Sequence, residues 1–137
     1  QMCFFTLHSS NWNYKGVKSL NLIRLGIIQD YAYGEPLDSY LAKKRTNTII
    51  LTGQKPHKRL SSMLDISRID TFVADRILIN YIVGNKYRKA GCLKSSPLYL
   101  AFNKKYNREI INKTNSEISK TGEELEKLVK KYIAFNK

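Results

Sequence analysis

The chain has 137 residues, 42% of them hydrophobic and 26% charged, with 24 Lys and Arg against 11 Asp and Glu for a formal net charge of +13. This length and balance fit one globular domain with a core of its own and exclude a disordered tail or a fibre. No apolar run approaches the roughly 20 residues of a membrane helix, and no signal-peptide pattern opens the chain, so the expectation is a cytosolic protein or one whose leader has been removed.

Met2 to Leu7 (MCFFTL) is a short apolar run with two aromatic residues and suits a buried strand. Beginning on such a strand without lead-in suggests that the chain is the later part of something longer. Ser9 to Gly16 is a polar loop carrying Trp12 and Tyr14, and Ser19 to Asn21 is a short turn. Arg24 to Leu41 (RLGIIQDYAYGEPLDSYL) then reads as strand, tight turn and helix start: Leu25, Ile27 and Ile28 lead into Tyr33 and Gly34, and Pro36 opens a helical pattern running to about Lys44. Free N–H groups of that turn and the positive end of the helix converge on one point, which suits a carboxylate or another small anion.

Thr48 to Thr52 (TIILT) is rich in β-branched residues and reads as the next strand, ended by Gly53; Pro56 to Ile66 carries Leu60, Met63 and Leu64 at helical spacing. Arg68 to Asp75 is a short buried strand ending on an acid, and Arg76 to Val83 follows as a helix closed by Gly84. Asp75 thus stands at the carboxyl end of a strand and at a helix N-cap, a place that serves a simple cap or a ligand contact. Gly91 to Lys94 and Leu98 to Phe102 are two further strand candidates. Asn107 to Lys120 reads as a helix, broken at Thr121 and Gly122 before a second one through Leu125, Leu128, Val129 and Ile133. The alternation predicts an α/β fold with two C-terminal helices packed on it.

The charge raises nucleic acid or an anionic membrane as a partner. The cations, however, fall in small separated groups near element ends, such as Lys55, Lys58 and Arg59, or Lys86, Arg88 and Lys89, and no nucleic-acid motif accompanies them. A solvated basic surface is the simpler reading, with no nucleic-acid partner. Cys3 and Cys92 are far apart and form no CxxC pair, which leaves two buried thiols or one disulfide. His8 and His57 stand alone, no metal or cofactor is expected, and no nucleophile–base pair or carboxylate pair suggests an enzyme.

The order of GIIQDYAYG, MLDISRIDTFVAD, PLYLAFNKK and KTGEELEKLVKKY resembles the second half of an extracellular solute-binding protein of family 3, the type that captures amino acids for ABC importers. The resemblance runs through nearly the whole chain. It implies a periplasmic-binding-protein-like II lobe, a central mixed sheet of about five strands flanked by helices, over about residues 8–97, between hinge strands at about 2–7 and 98–102, with C-terminal helices over about 107–135 and a periplasmic or extracellular location. It further implies that backbone groups at Ala32, Tyr33 and Gly34 help to hold a ligand carboxylate, and that Asp75 takes the ligand ammonium.

The implied partners are an amino-acid-like small molecule and, in the intact protein, the membrane subunits of an ABC transporter. A sensory ligand-binding domain of a receptor, or of a lytic-transglycosylase-like protein that cleaves peptidoglycan, fits the same resemblance. The first lobe, which in this family supplies the ligand-gripping arginine, has no counterpart here, so the expectation is half a pocket: amino acids bind the chain alone weakly or not at all, and the exposed lobe face favours a homodimer. Ser67 stands where the family usually has glycine, Tyr33 replaces a smaller residue and would narrow the pocket, and Asp30 beside it would favour a cationic group if it pointed inward.

Overall fold

A computed structural model describes residues 1–43, 47–95, 99–105 and 108–135. The chain divides into two compact units, Gln1–Ser96 and Pro97–Lys137.

In the first unit five strands form one mixed sheet: β1 (Met2–Thr6), β2 (Leu25–Ile28), β3 (Thr48–Leu51), β4 (Thr71–Asp75) and β5 (Arg88–Cys92), in the order β3-β2-β4-β1-β5. β2 runs parallel to β3 and β4, whereas β1 is antiparallel to both of its neighbours, β4 and β5. The expected α/β class and five-stranded mixed sheet are therefore present. Helices α1 (Leu37–Leu41), α2 (Pro56–Asp65) and α3 (Arg76–Val83) connect the strands, and a short 3-10 helix covers Val17–Leu20.

Strand alternation divides the core into two layers. Cys3, Phe5, Phe72 and Ala74 point to the side of Leu60 and Leu64 of α2 and Ile79 of α3. Phe4, Leu25, Ile27 and Val73 point to the side of Leu20 and of Leu37 and Tyr40 of α1. Close approach of α2 explains the residue type at position 26. A Cβ on Gly26 would come within 2.7 Å of both Leu60 and Ile69 side-chain ends.

Several boundaries differ from the sequence reading. The last strand is β5 at Arg88–Cys92, not Gly91 to Lys94. It is an edge strand whose polar residues give no apolar signal, and Tyr14 N–H covers it by donating to the Ala90 carbonyl at 2.8 Å. Helix α1 is shorter than expected, and Lys44 lies outside the described residues. Leu98 also lies outside them, and 99–102 forms no strand, so the returning hinge strand is not observed.

In the second unit one continuous helix, α4 (Arg108–Phe135), replaces the two expected; Asn107 lies outside the described residues. Thr121 and Gly122 do not break it, because the Thr121 hydroxyl donates back to the Glu117 carbonyl at 2.9 Å and a lone glycine costs a helix only about 1 kcal/mol.

Cys3 and Cys92 face each other across the β1–β5 ladder and form a disulfide that spans 89 residues of sequence. The bond ties the first strand to the last. Gly91, beside it, has φ of 135° and lies against Tyr14, whose Cβ would stand 3.1 Å from an added methyl. A register shift between Phe4 and Phe5 marks the same place.

Helix α2 ends in a Schellman motif: Arg68 N–H donates to the Met63 carbonyl at 2.8 Å and Ser67 N–H to the Leu64 carbonyl at 3.0 Å. Ser67 occupies the left-handed position of that motif with φ of 55°, where a side chain is strained and glycine is not. Ser67→Gly should therefore stabilise the chain by about 0.5–1 kcal/mol despite the greater freedom of the unfolded glycine. Urea titration of the two proteins checks this, and a lower midpoint for the variant would contradict it.

Candidate functional site

The β2–β4 register, with Leu25 opposite Thr71 and Gly26 opposite Phe72, brings the loop after β2 and Asp75 at the end of β4 to the same carboxyl edge. From β2 the chain moves to one side, to β3, and then returns past β2 to β4 on the other side. The direction of winding reverses between β2 and β4. In open α/β sheets such a reversal opens a crevice at the carboxyl ends of the strands, the usual place for a ligand. The loop carrying Tyr33 and Gly34 follows β2 and Asp75 ends β4, the two strands on either side of that reversal.

The loop is held by its own carboxylate. Tyr33 N–H donates to Asp38 Oδ1 at 3.0 Å and Gly34 N–H to Asp38 Oδ2 at 2.8 Å. The amides expected to receive an anion thus do receive one, supplied by the first turn of α1. Sequence reasoning misses Asp38. An acid in the first turn of a helix that follows a glycine turn is the available signal.

Tyr33 does not project into open space, because its side chain is buried. Its hydroxyl accepts the Ile28 N–H at 2.7 Å, standing in for a strand partner at the end of β2. Burial pushes the phenol up to about 12, against a smaller downward pull from the Ile28 backbone. Ala32 and Asp30 are exposed, and Asp30 adopts a left-handed φ of 57°. Two aromatic rings accompany the loop: Tyr31 lies 5.3 Å from the Tyr33 ring, and His57 at the start of α2 lies 6.3 Å from Tyr31, edge to face. Burial lowers the His57 pKa, and its Nε2 is enclosed without a hydrogen-bond partner.

Asp75 is the N-cap of α3. Its Oδ1 accepts the Ile77 N–H at 2.9 Å and the Leu78 N–H at 3.1 Å, and its Oδ2 accepts from the Gln1 amino group at 2.7 Å. Burial works against the carboxylate, but the Gln1 amine and the two amides outweigh it and hold the acid below its ordinary pKa. Asp75 therefore serves as a cap with one oxygen and meets an amine with the other.

A cleft of about 320 Å³ lies between the 3-10 helix and α1, lined by Val17, Lys18, Pro36, Tyr40 and Lys43, and it includes neither Asp75 nor residues 32–34. Among the described residues no three His, Cys, Asp or Glu side chains gather to hold a metal. No helix is long and apolar enough to cross a membrane, again among the described residues. The chain matches no protein-family model, and a search of curated proteins finds no relative of this sequence.

Two outcomes test the site. Asp38→Ala strands two part-buried amides and should cost about 1–3 kcal/mol, with backbone amide shifts concentrated at Tyr33 and Gly34; a neutral variant would show that the clamp carries no stability. Asp75 has a lowered pKa in the folded chain, so its stabilising contribution is present above the unfolded value of about 3.9 and is lost as the pH falls below it. Asp75→Asn keeps a capping oxygen without a titrating group, and its melting temperature should fall less between pH 5 and pH 2, about the span of the effect. Asp65 and Asp70, also lowered by Lys86 and Arg24, keep part of the fall in both proteins. Equal slopes would refute the assignment for Asp75.

Proposed function

We propose that this chain is the ligand-binding lobe of a solute-binding protein of the family 3 kind, for amino acids or similar small polar solutes. The observation that carries the reading is the placement of the loop after β2 and of Asp75 on the two sides of the winding reversal. The residues alone mark the loop as a receiver of an anion and Asp75 as a cap or ligand contact, and the family resemblance adds the ammonium. The Cys3–Cys92 disulfide fits an oxidising compartment, and with it a periplasmic or extracellular setting.

In this reading a ligand ammonium takes the place of the Gln1 amine on Asp75 Oδ2, while Oδ1 keeps its bonds to the Ile77 and Leu78 amides. A ligand carboxylate reaches the Tyr33 and Gly34 amides only by displacing Asp38, which sets a cost against simple amino acids. Delivery to ABC-transporter membrane subunits and a role as a receptor's sensory domain both require parts beyond this lobe. The net charge of +13 favours one other reading, a binder of anionic surfaces.

Weak binding by one lobe is measurable by NMR. Titrating the labelled chain with amino acids and small polyamines at millimolar concentration should shift amides at Tyr31–Gly34 and Asp75–Leu78, and Asp75→Ala should abolish the shifts. No response there, together with salt-dependent retention on DNA or anionic vesicles, would replace the solute reading with the electrostatic one.

A further inference from the structure

Helix α4 carries an apolar pattern with a period of 3.5 residues. Ile111, Ile118 and Leu125 are seven apart, Thr114, Thr121 and Leu128 form the second row three residues on, and the sequence continues both rows with Tyr132 and Phe135. None of the eleven charged residues between Arg108 and Phe135 falls on either row. A surface helix lying on a globular core follows a period nearer 3.6, whereas a strict heptad row stays in line only along a supercoiled helix partner. The rows are open: Ile118 is 50% exposed, Leu125 62% and Leu128 56%.

We propose that α4 pairs with α4 of a second copy of this chain, in an antiparallel two-helix seam. Orientation follows from size and charge. Aligned antiparallel over the full helix, Ile118 faces Leu128 and the small Thr121 faces Leu125, so large and small residues interleave. The same alignment sets Glu117 beside Lys131 of the other copy, twice by symmetry, against one Glu124–Glu124 approach at the two-fold axis. On the opposite flank of that axis lies Gly122, and no atom stands within 4 Å of where its Cβ would be. This gives a reason for a glycine in mid-helix: it lets the backbones approach closely. A parallel pair would stack Thr114 on Thr114 and Thr121 on Thr121, and would bring Glu117 to Gly122 and Glu124 to Val129, with no opposite charges across the seam. In the single copy Glu117 pairs with Lys120 at 2.8 Å, an exposed contact that yields readily.

Sedimentation equilibrium of the full chain at tens of micromolar, with distance measurement between nitroxides attached through Lys113→Cys, tests both parts. A dimer is expected. Its labels should lie about 30 Å apart along the axis, because residue 113 of one copy meets residue 133 of the other, about 20 residues away at 1.5 Å each. Ile118→Lys with Leu125→Lys should give a monomer whose first unit, Gln1–Ser96, melts as before. Glu117→Lys should weaken association about tenfold, and adding Lys131→Glu should restore it. A monomer at every concentration, a dimer untouched by the two lysines, or labels side by side as in a parallel pair would overturn the proposal, and indifference to Glu117→Lys would overturn its register.

Discussion

The sheet depends on where β1 sits. The first strand of the chain lies between β4 and β5, so Cys3, Phe4 and Phe5 are buried and have a strand partner on both edges. Phe4 fills one layer, stacked 4.3 Å from Tyr14, and Phe5 fills the other, 5.5 Å from Phe72. Full burial of two such rings contributes on the order of 2–3 kcal/mol each. Without β1, β4 and β5 would have no ladder between them and α3 would lose part of the surface beneath it. The disulfide secures this arrangement at one point of the register, joining residues that the chain places 89 apart.

The insertion also sets the chemistry of the carboxyl edge. Because β1 is antiparallel to β4, its beginning lies where β4 ends: Met2 stands opposite Asp75, and Leu93 N–H closes the edge by donating to the Met2 carbonyl at 2.9 Å. An amine and a carboxylate are thereby set together at the end of a parallel strand, beside a loop that has filled its own anion site. Asp38 takes the Tyr33 and Gly34 amides and the Tyr33 hydroxyl takes the Ile28 N–H, so these backbone groups are already paired, while Tyr31 and Ala32 remain exposed.

What could be read from the sequence was what neighbouring residues decide. TIIL, TFVAD and RILINYIV carry their period and their ends within themselves, and Asp75 and Gly84 bracket α3 as a cap and a stop should. What could not be read depended on residues far away. RKAGC becomes a strand only because β1 lies beside it, and the Cys pair becomes a bond only through that register. Thr121–Gly122 looks like a break because glycine ends helices when a left-handed turn follows, yet here the threonine hydroxyl bonds back into the helix and the turn never forms. Asp38 was legible in principle, as an acid in the first turn of a helix. The direction of its carboxylate, however, is a property of the loop's path and not of the residue.

The surplus of charge is nearly the same per residue in both units but is not shared by α4, and this bears on how copies of the chain meet. Residues 1–96 hold 15 Lys and Arg against 6 Asp and Glu, a surplus of nine, and 97–137 hold 9 against 5, a surplus of four. Two cations of the first unit, Arg24 and Lys86, are tied to Asp70 and Asp65, which leaves its positive surplus unchanged because each pair is neutral in sum. Two such units repel each other over a Debye length of about 8–10 Å at physiological salt. In α4, five acids alternate with six bases between Arg108 and Phe135, so the helix is close to neutral and its two apolar rows are free of charge altogether. Net charge alone thus opposes contact between first units more than contact between helices.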